Sequence, residues 1–256
     1  MATGIHVVSP SRWAVRWWHS RAGAKLLGEL AVLALMLLAY KEIRSLVAAE
    51  TPLAFANADQ VLRLERWLHI GNEAALQQLV LPHELLVKAL NRYYVNAHLL
   101  TAIAFVVWAY VRHGDGYAHV RRVAVGSTAI ALVIHVLYPL APPRMLPGFV
   151  DTMAVWGPNS YGSRGLGPVA NQFAAMPSVH FAWAVLIAYG IVRLSTGRYR
   201  WLAVAHPVLT LVAIVLTANH YWLDAVVAGV ILAFTFVVEA WVVNLTHARQ
   251  RVGVYT

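Results

Sequence analysis

Apolar stretches of about 20 residues recur along this chain, the length at which a helix crosses the hydrocarbon core of a bilayer. They constrain the fold more than any other feature. Six are found, near Leu26–Val47, Leu85–Val111, Val123–Tyr138, Val179–Leu194, Leu202–Thr217 and Tyr221–Leu245. A backbone in lipid must satisfy its own hydrogen bonds, so spans of this length are helices. The predicted fold class is therefore all-α: a polytopic membrane protein with six transmembrane helices. The composition agrees. Of 256 residues, 60% are hydrophobic and 12% charged, against roughly 25% charged in soluble domains. The N-terminus is a basic, aromatic stretch (Arg12, Trp13, Arg16, Trp17, Trp18, Arg21) that runs into a full-length span, so a cleavable leader is not expected. A single membrane-embedded catalytic domain covering 1–256 is expected, with residues 1–25 as a cytoplasmic basic tail.

Loop charges set the orientation. One side of a six-span arrangement collects Arg12, Arg16, Arg21 and Lys25, then Arg112, Arg121 and Arg122, then Arg193, Arg198 and Arg200, then Arg249 and Arg251. The basic residues of the other side are diluted by Glu42, Glu50, Asp59, Glu65, Glu73, Glu84, Asp151 and Asp224. The first side is expected to be cytoplasmic, with both termini on it, in a plasma (inner) membrane of bacterial type. The net charge of +9 then reflects topology and contact with anionic lipid, and no nucleic-acid partner is expected. Zero cysteines exclude thiol catalysis.

Two regions do not span. Residues 52–83 mix apolar and charged positions (Val61, Leu62, Leu64, Trp67 against Arg63, Glu65, Arg66) and break at Ile70-Gly71-Asn72. They are expected to form interfacial amphipathic helices between the first and second spans, as a surface connector or as a lid. Residues 139–176 are rich in Pro and Gly and are expected to be an irregular extracytoplasmic loop over an active site.

The chemistry lies at span ends. His220 and Asp224 are four apart on a predicted helix and share a face. Asp224 can hold one ring nitrogen of His220 and leave the other as a nucleophile. His180, on the same side of the membrane, suits a general acid and base. Pro177 is placed for the first helical position of the span that follows it. Ser178 and the amides there can bind an anion at the helix N-terminus. Arg144 can grip a phosphate with two parallel hydrogen bonds. His98, Asn96 and His135 are expected to be helix–helix hydrogen-bonders. No motif calls for a metal or a cofactor.

Pro177-Ser178-Val179-His180 resembles the P-S-x-H motif of the type 2 phosphatidic acid phosphatase superfamily of membrane lipid phosphatases. His220 and Asp224 fit the H-x3-D end of its third motif, and Arg144 the arginine of its first. The resemblance covers roughly Tyr138 to Gly229. With Ala141-Pro142-Pro143-Arg144 and Ala218-Asn219-His220-Tyr221, it is most similar to the branch containing the inositol phosphorylceramide synthases. It implies a six-helix fold, with His220 as nucleophile, His180 as acid and base, Asp224 as the orienting carboxylate, and Arg144 and Ser178 on the phosphate. The sequence departs from the family at two cations: Leu137 and Ile214 stand where lysine and arginine are usual. Arg164, in the long loop, is the expected substitute, with Asn171, Asn219 and Tyr138 as neutral donors. The resemblance implies a metal-independent enzyme acting through a phosphohistidine on a phospholipid or polyprenyl (di)phosphate. Hydrolysis, transfer of a phosphoryl-headgroup to an alcohol acceptor, and a non-catalytic transporter or scaffold remain the competing classes. The expected partners are membrane lipids, and the sequence leaves the oligomeric state open.

Overall fold

The computed structural model describes residues 51–157 and 173–252, with scattered positions between 27 and 42 that are helical and form a unit of their own. The expected span Leu26–Val47 thus lies largely outside the described residues. So do residues 1–25, Arg164 and Asn171.

The described chain is helical, and its only β pairing is an isolated bridge between Leu140 and Ala174. Two short helices come first, α1 (Thr51–Trp67) and α2 (Glu73–Val80). His69, with φ +60°, ends the turn after α1. Gly71 follows because a Cβ there would lie 3.2 Å from the Arg66 backbone nitrogen. Next come α3 (Glu84–Arg92), a π turn over Tyr93–Ala97, and α4 (His98–Arg112), which run on without a break. After them lie α5 (Gly114–Leu137), the short α6 (Thr152–Trp156), α7 (Val179–Leu194), α8 (Ala205–Leu216) and α9 (Trp222–Val252).

Among the described residues, four helical stretches are long and apolar enough to cross a membrane: Glu84–Arg112, Gly116–Leu137, Arg198–Leu216 and Trp222–Thr246. Gly116–Leu137 starts several residues before the expected Val123, and Arg198–Leu216 takes in a 3₁₀ turn over Arg198–Val204. α7 is apolar but shorter, at 16 residues.

Within lipid, apolar contact between helices gains little over contact with acyl chains, so close packing must hold them. α4, α5 and α7 meet through small residues (Ala102, Ala109, Ala124) around Phe105, Val123, Leu186 and Ile187. At Gly190 of α7 a Cβ would run into the Phe105 ring.

α1 and α2 are more than a surface connector. Asn57, Glu65, Glu73 and Gln77, which an amphipathic pattern puts on the polar face, are all buried. They hold other segments. Asn57 Nδ2 donates to the Pro139 carbonyl at 2.8 Å. Gln77 bonds both the N–H and the C=O of Val150 at 2.9 Å. These bonds fix the described start of the loop, residues 139–157. It opens with a 3₁₀ turn at Pro143–Met145 and continues into α6.

Candidate active site

Backbone hydrogen bonds bring three distant segments together at one end of the helices. The Leu140 amide donates to the Phe173 carbonyl at 2.7 Å, which returns the long loop to its own start. The Arg144 amide donates to the Ala218 carbonyl at 2.8 Å, and the Ser178 amide to the Asp224 carbonyl at 3.1 Å. Arg144, His180 and His220 are therefore neighbours, as their spacing along separate span ends predicts.

His220 sits in the turn between α8 and α9. Ala218 makes that turn in the left-handed region, at φ +54°, which costs a non-glycine residue about 1 kcal/mol. The Ile214 carbonyl takes the amides of both Asn219 and His220, at 2.9 and 3.1 Å. The side chain at 214 is buried among Tyr94 and Val215. Leu137, the other departure from the family pattern, is largely exposed.

The His220 ring is held at one nitrogen. Nδ1 lies 2.8 Å from the Ala175 carbonyl and 3.0 Å from Asp224 Oδ2. Both partners are acceptors, so Nδ1 carries the proton and Nε2 keeps its lone pair. Asp224 Oδ2 also accepts from the Tyr221 amide at 3.0 Å. As the third residue of α9 reaching back to the residue before it, Asp224 is half of a capping box. Both side chains are buried, His220 at 5% exposure and Asp224 at 0%. Burial pushes the His220 imidazole down to about 4; the Arg144 guanidinium acts the same way, and the bond to Ala175 opposes them. The His220 ring is thus neutral at physiological pH.

His180 lies in the first turn of α7, its ring 6.3 Å from that of His220 between centroids. Ser178 is the N-cap of α7 and accepts from the Phe181 amide at 3.3 Å. This corrects the placement of Pro177, which precedes the cap and lies outside the helix. Pro177 instead offers its carbonyl to His135 Nε2 at 3.2 Å, so this histidine, expected to bond another helix, bonds the segment before α7. The Ser178 hydroxyl still has its own proton to give.

Arg144 is held on two sides. Nη1 donates to Asn219 Oδ1 at 2.9 Å, and Nε lies 3.6 Å from Asp151 Oδ2. Asn219 is in turn held by Nδ2, which donates to Thr217 Oγ1 at 2.7 Å. Asn219 therefore reaches the site as an orienter of Arg144.

Three groups beside the two histidines were not read from the sequence as their partners. The Ala175 carbonyl left no signal, because a backbone oxygen has none. Tyr94 packs its ring 4.5 Å from His180. His98, expected to bond a neighbouring helix, has its ring tilted 4.8 Å from that of His180 and stacked 5.6 Å from that of His206. The spacing of four between Tyr94 and His98 was the available clue. Among the described residues, no group of three His, Asp or Glu side chains is arranged to hold a metal ion.

A family model for the PAP2 superfamily matches residues 59–238, which takes in every described residue of this site. No curated protein and no solved structure matches the chain. With the match spanning well over half its length, the chain belongs to the PAP2 superfamily.

Proposed function

We propose that the protein is a membrane lipid phosphatase or phosphotransferase that works through a phosphohistidine at His220. The observation that carries this is the His220 ring itself: Nδ1 is bound by two acceptors, and Nε2 is left for attack with His180 beside it. Superfamily membership supports phosphatase or phosphotransferase chemistry.

The steps follow from these groups. Nε2 of His220 attacks phosphorus while Arg144, Ser178 and the first amides of α7 hold the phosphate oxygens. The bond from phosphorus to the lipid oxygen breaks, and the proton on His180 passes to that oxygen. His180 then takes a proton from water, whose oxygen attacks phosphorus. The N–P bond breaks and its electron pair returns to Nε2. Asp224 stabilises the positive charge carried by the ring between the two steps.

The lipid part of the substrate has an apolar cavity of about 610 Å³ to occupy, lined by Ile70, Phe181, Leu211, Trp222 and Val226. Phe181 and Trp222 flank the two histidines in sequence. In this reading six helices span the membrane, α1 and α2 lie at its interface, and both termini face the cytoplasm. The arginines at the far ends of α4 and α7 (Arg112 and Arg193) support that orientation, which puts the site on the extracytoplasmic face.

The purified protein is tested on labelled lipid phosphates, with and without alcohols such as inositol, and in EDTA. Free phosphate alone makes it a phosphatase, and an acceptor-dependent lipid product makes it a transferase. Acid-labile label is expected on wild type and absent from His220→Ala. Equal label on both proteins, or activity lost in EDTA and restored by a divalent ion, refutes the mechanism.

A further inference from the structure

Two carboxyl groups that this chemistry does not use lie beneath the first turn of α9. Glu65 comes from the end of α1 and Glu73 from the start of α2, and both are buried, at 0% and 1% exposure. Glu65 Oε1 accepts from the Leu223 amide at 2.8 Å, and Glu73 Oε1 from the Trp222 amide at 3.4 Å. With Tyr221 bonded to Asp224, three successive amides after His220 are each taken by a different carboxyl group. An ordinary helix start relies on a single side chain from its own segment. Here two of the three come from elements some 150 residues away. Asn72, in the turn between α1 and α2, adds a bond of 2.9 Å from Trp222 Nε1.

Glu65 Oε2 is buried with no donor to meet, and the Glu73 carboxyl lies within hydrogen-bonding reach of Glu65. Three buried carboxyl groups side by side do not all ionise. A proton held between Glu65 and Glu73 turns that contact into a hydrogen bond and leaves a single negative charge facing the amides, which a helix N-terminus favours. Burial first, and then the contact with Glu73, push Glu65 up to about 9. The groups that face the pair from α9 are Asp224 and Tyr221, and Asp59 lies near Tyr221 from α1.

We propose that Glu65 and Glu73, sharing one proton, are positioning residues that hold the first turn of α9 so that Asp224 stays against His220. The inference rests on the reading of His220 as the nucleophile. A displacement of about 1 Å in such a group costs on the order of 10²-fold in rate.

The full-length protein in detergent is assayed on p-nitrophenyl phosphate and on phosphatidic acid micelles. Glu65→Ala and Glu73→Ala are expected to lose about 10- to 100-fold in kcat with KM unchanged. Glu65→Gln keeps an acceptor for Leu223 and a donor for Glu73, so it is expected to stay within about threefold of wild type at pH 7. Wild type is expected to lose kcat above pH about 9, where Glu65 ionises, and Glu65→Gln is not. Glu65→Ala with full kcat, or Glu65→Gln falling alongside wild type at alkaline pH, overturns the inference. If the alanine variants fail to fold, the alkaline arm of Glu65→Gln decides alone. With wild type active and His220→Ala inactive, such results remove this inference and leave the proposed function standing. If wild type is no more active than His220→Ala, both fall.

Discussion

Replacing Asp224 with asparagine separates the two tasks of that carboxylate, and the geometry sets the size of the loss. The asparagine oxygen can occupy the place of Oδ2 and keep both bonds, to His220 Nδ1 and to the Tyr221 amide. What disappears is the negative charge beside a ring that becomes positive when its other nitrogen is phosphorylated. Two unit charges about 4 Å apart interact by about 4 kcal/mol at an effective dielectric of 20. A hydrogen bond to a charged group retains about 1.5–3 kcal/mol of net worth. Taking about 2–3 kcal/mol, kcat falls about 30- to 150-fold. Where an aspartate alone selects the tautomer of a catalytic histidine, the same change costs roughly 10⁴-fold. Here the Ala175 carbonyl, 2.8 Å from Nδ1, still selects it. The assay is phosphate release from lipid micelles, with thermal unfolding as the control for folding. A loss of 10⁴-fold with unchanged unfolding refutes the role given to Ala175. No loss at all refutes the role given to the charge.

Two further outcomes can be checked separately. His220 is held near 4, below the ordinary histidine value, so it binds fewer protons folded than unfolded. Its share of stability is complete above pH about 6.5 and is lost as pH falls toward about 4. ¹⁵N-histidine NMR, assigned by loss of the signal in His220→Ala, is expected to show no protonation of this ring between pH 8 and 5; a midpoint near 6.5 counts against the site as described. Gly190→Ala forces a methyl group into the buried Phe105 ring and is expected to destabilise by about 1–3 kcal/mol. A detergent melt at or above wild type shows that α4 and α7 do not pack as closely as described.

The groups proposed to react could be picked out in the sequence because few residue types do such chemistry and their spacing is short. His220 and Asp224 share a helix face, and Ser178 and His180 share a helix start, so local geometry alone aligns them. The long apolar helices Arg198–Leu216 and Trp222–Thr246 were visible for a similar reason, since lipid imposes a length. What stayed hidden depends on tertiary contact. Glu65 sits in a run that alternates apolar and charged residues, and such a run normally turns its carboxylates to water. Only the docking of α1 and α2 on the start of α9 buries it. His98 read as an ordinary polar residue of a span because nothing nearby in sequence pairs with it; its partners are about 80 and 108 positions away. Leu137 and Ile214 stand where the resemblance expects cations. Their surroundings, one largely exposed and one sealed in the core, are properties of the fold.

The π turn at Tyr93–Ala97 has a consequence for engineering this helix. A π turn takes in one residue more than an α turn, so everything beyond it is rotated by about 100° relative to an unbroken α-helix. It acts as a phase shifter between the half of the long helix that meets the loop and α6 and the half that packs on α7. With the extra residue in place, Tyr94 and His98 both reach the His180 ring while Phe105 and Ala109 still face the core. Deleting one residue from this turn would leave composition, length and hydropathy almost untouched. It would nonetheless put the two halves out of register, so that either the α4–α7 packing with its His98 contact or the bonds from Asn91 of α3 to Thr152 of α6 could be kept, but not both.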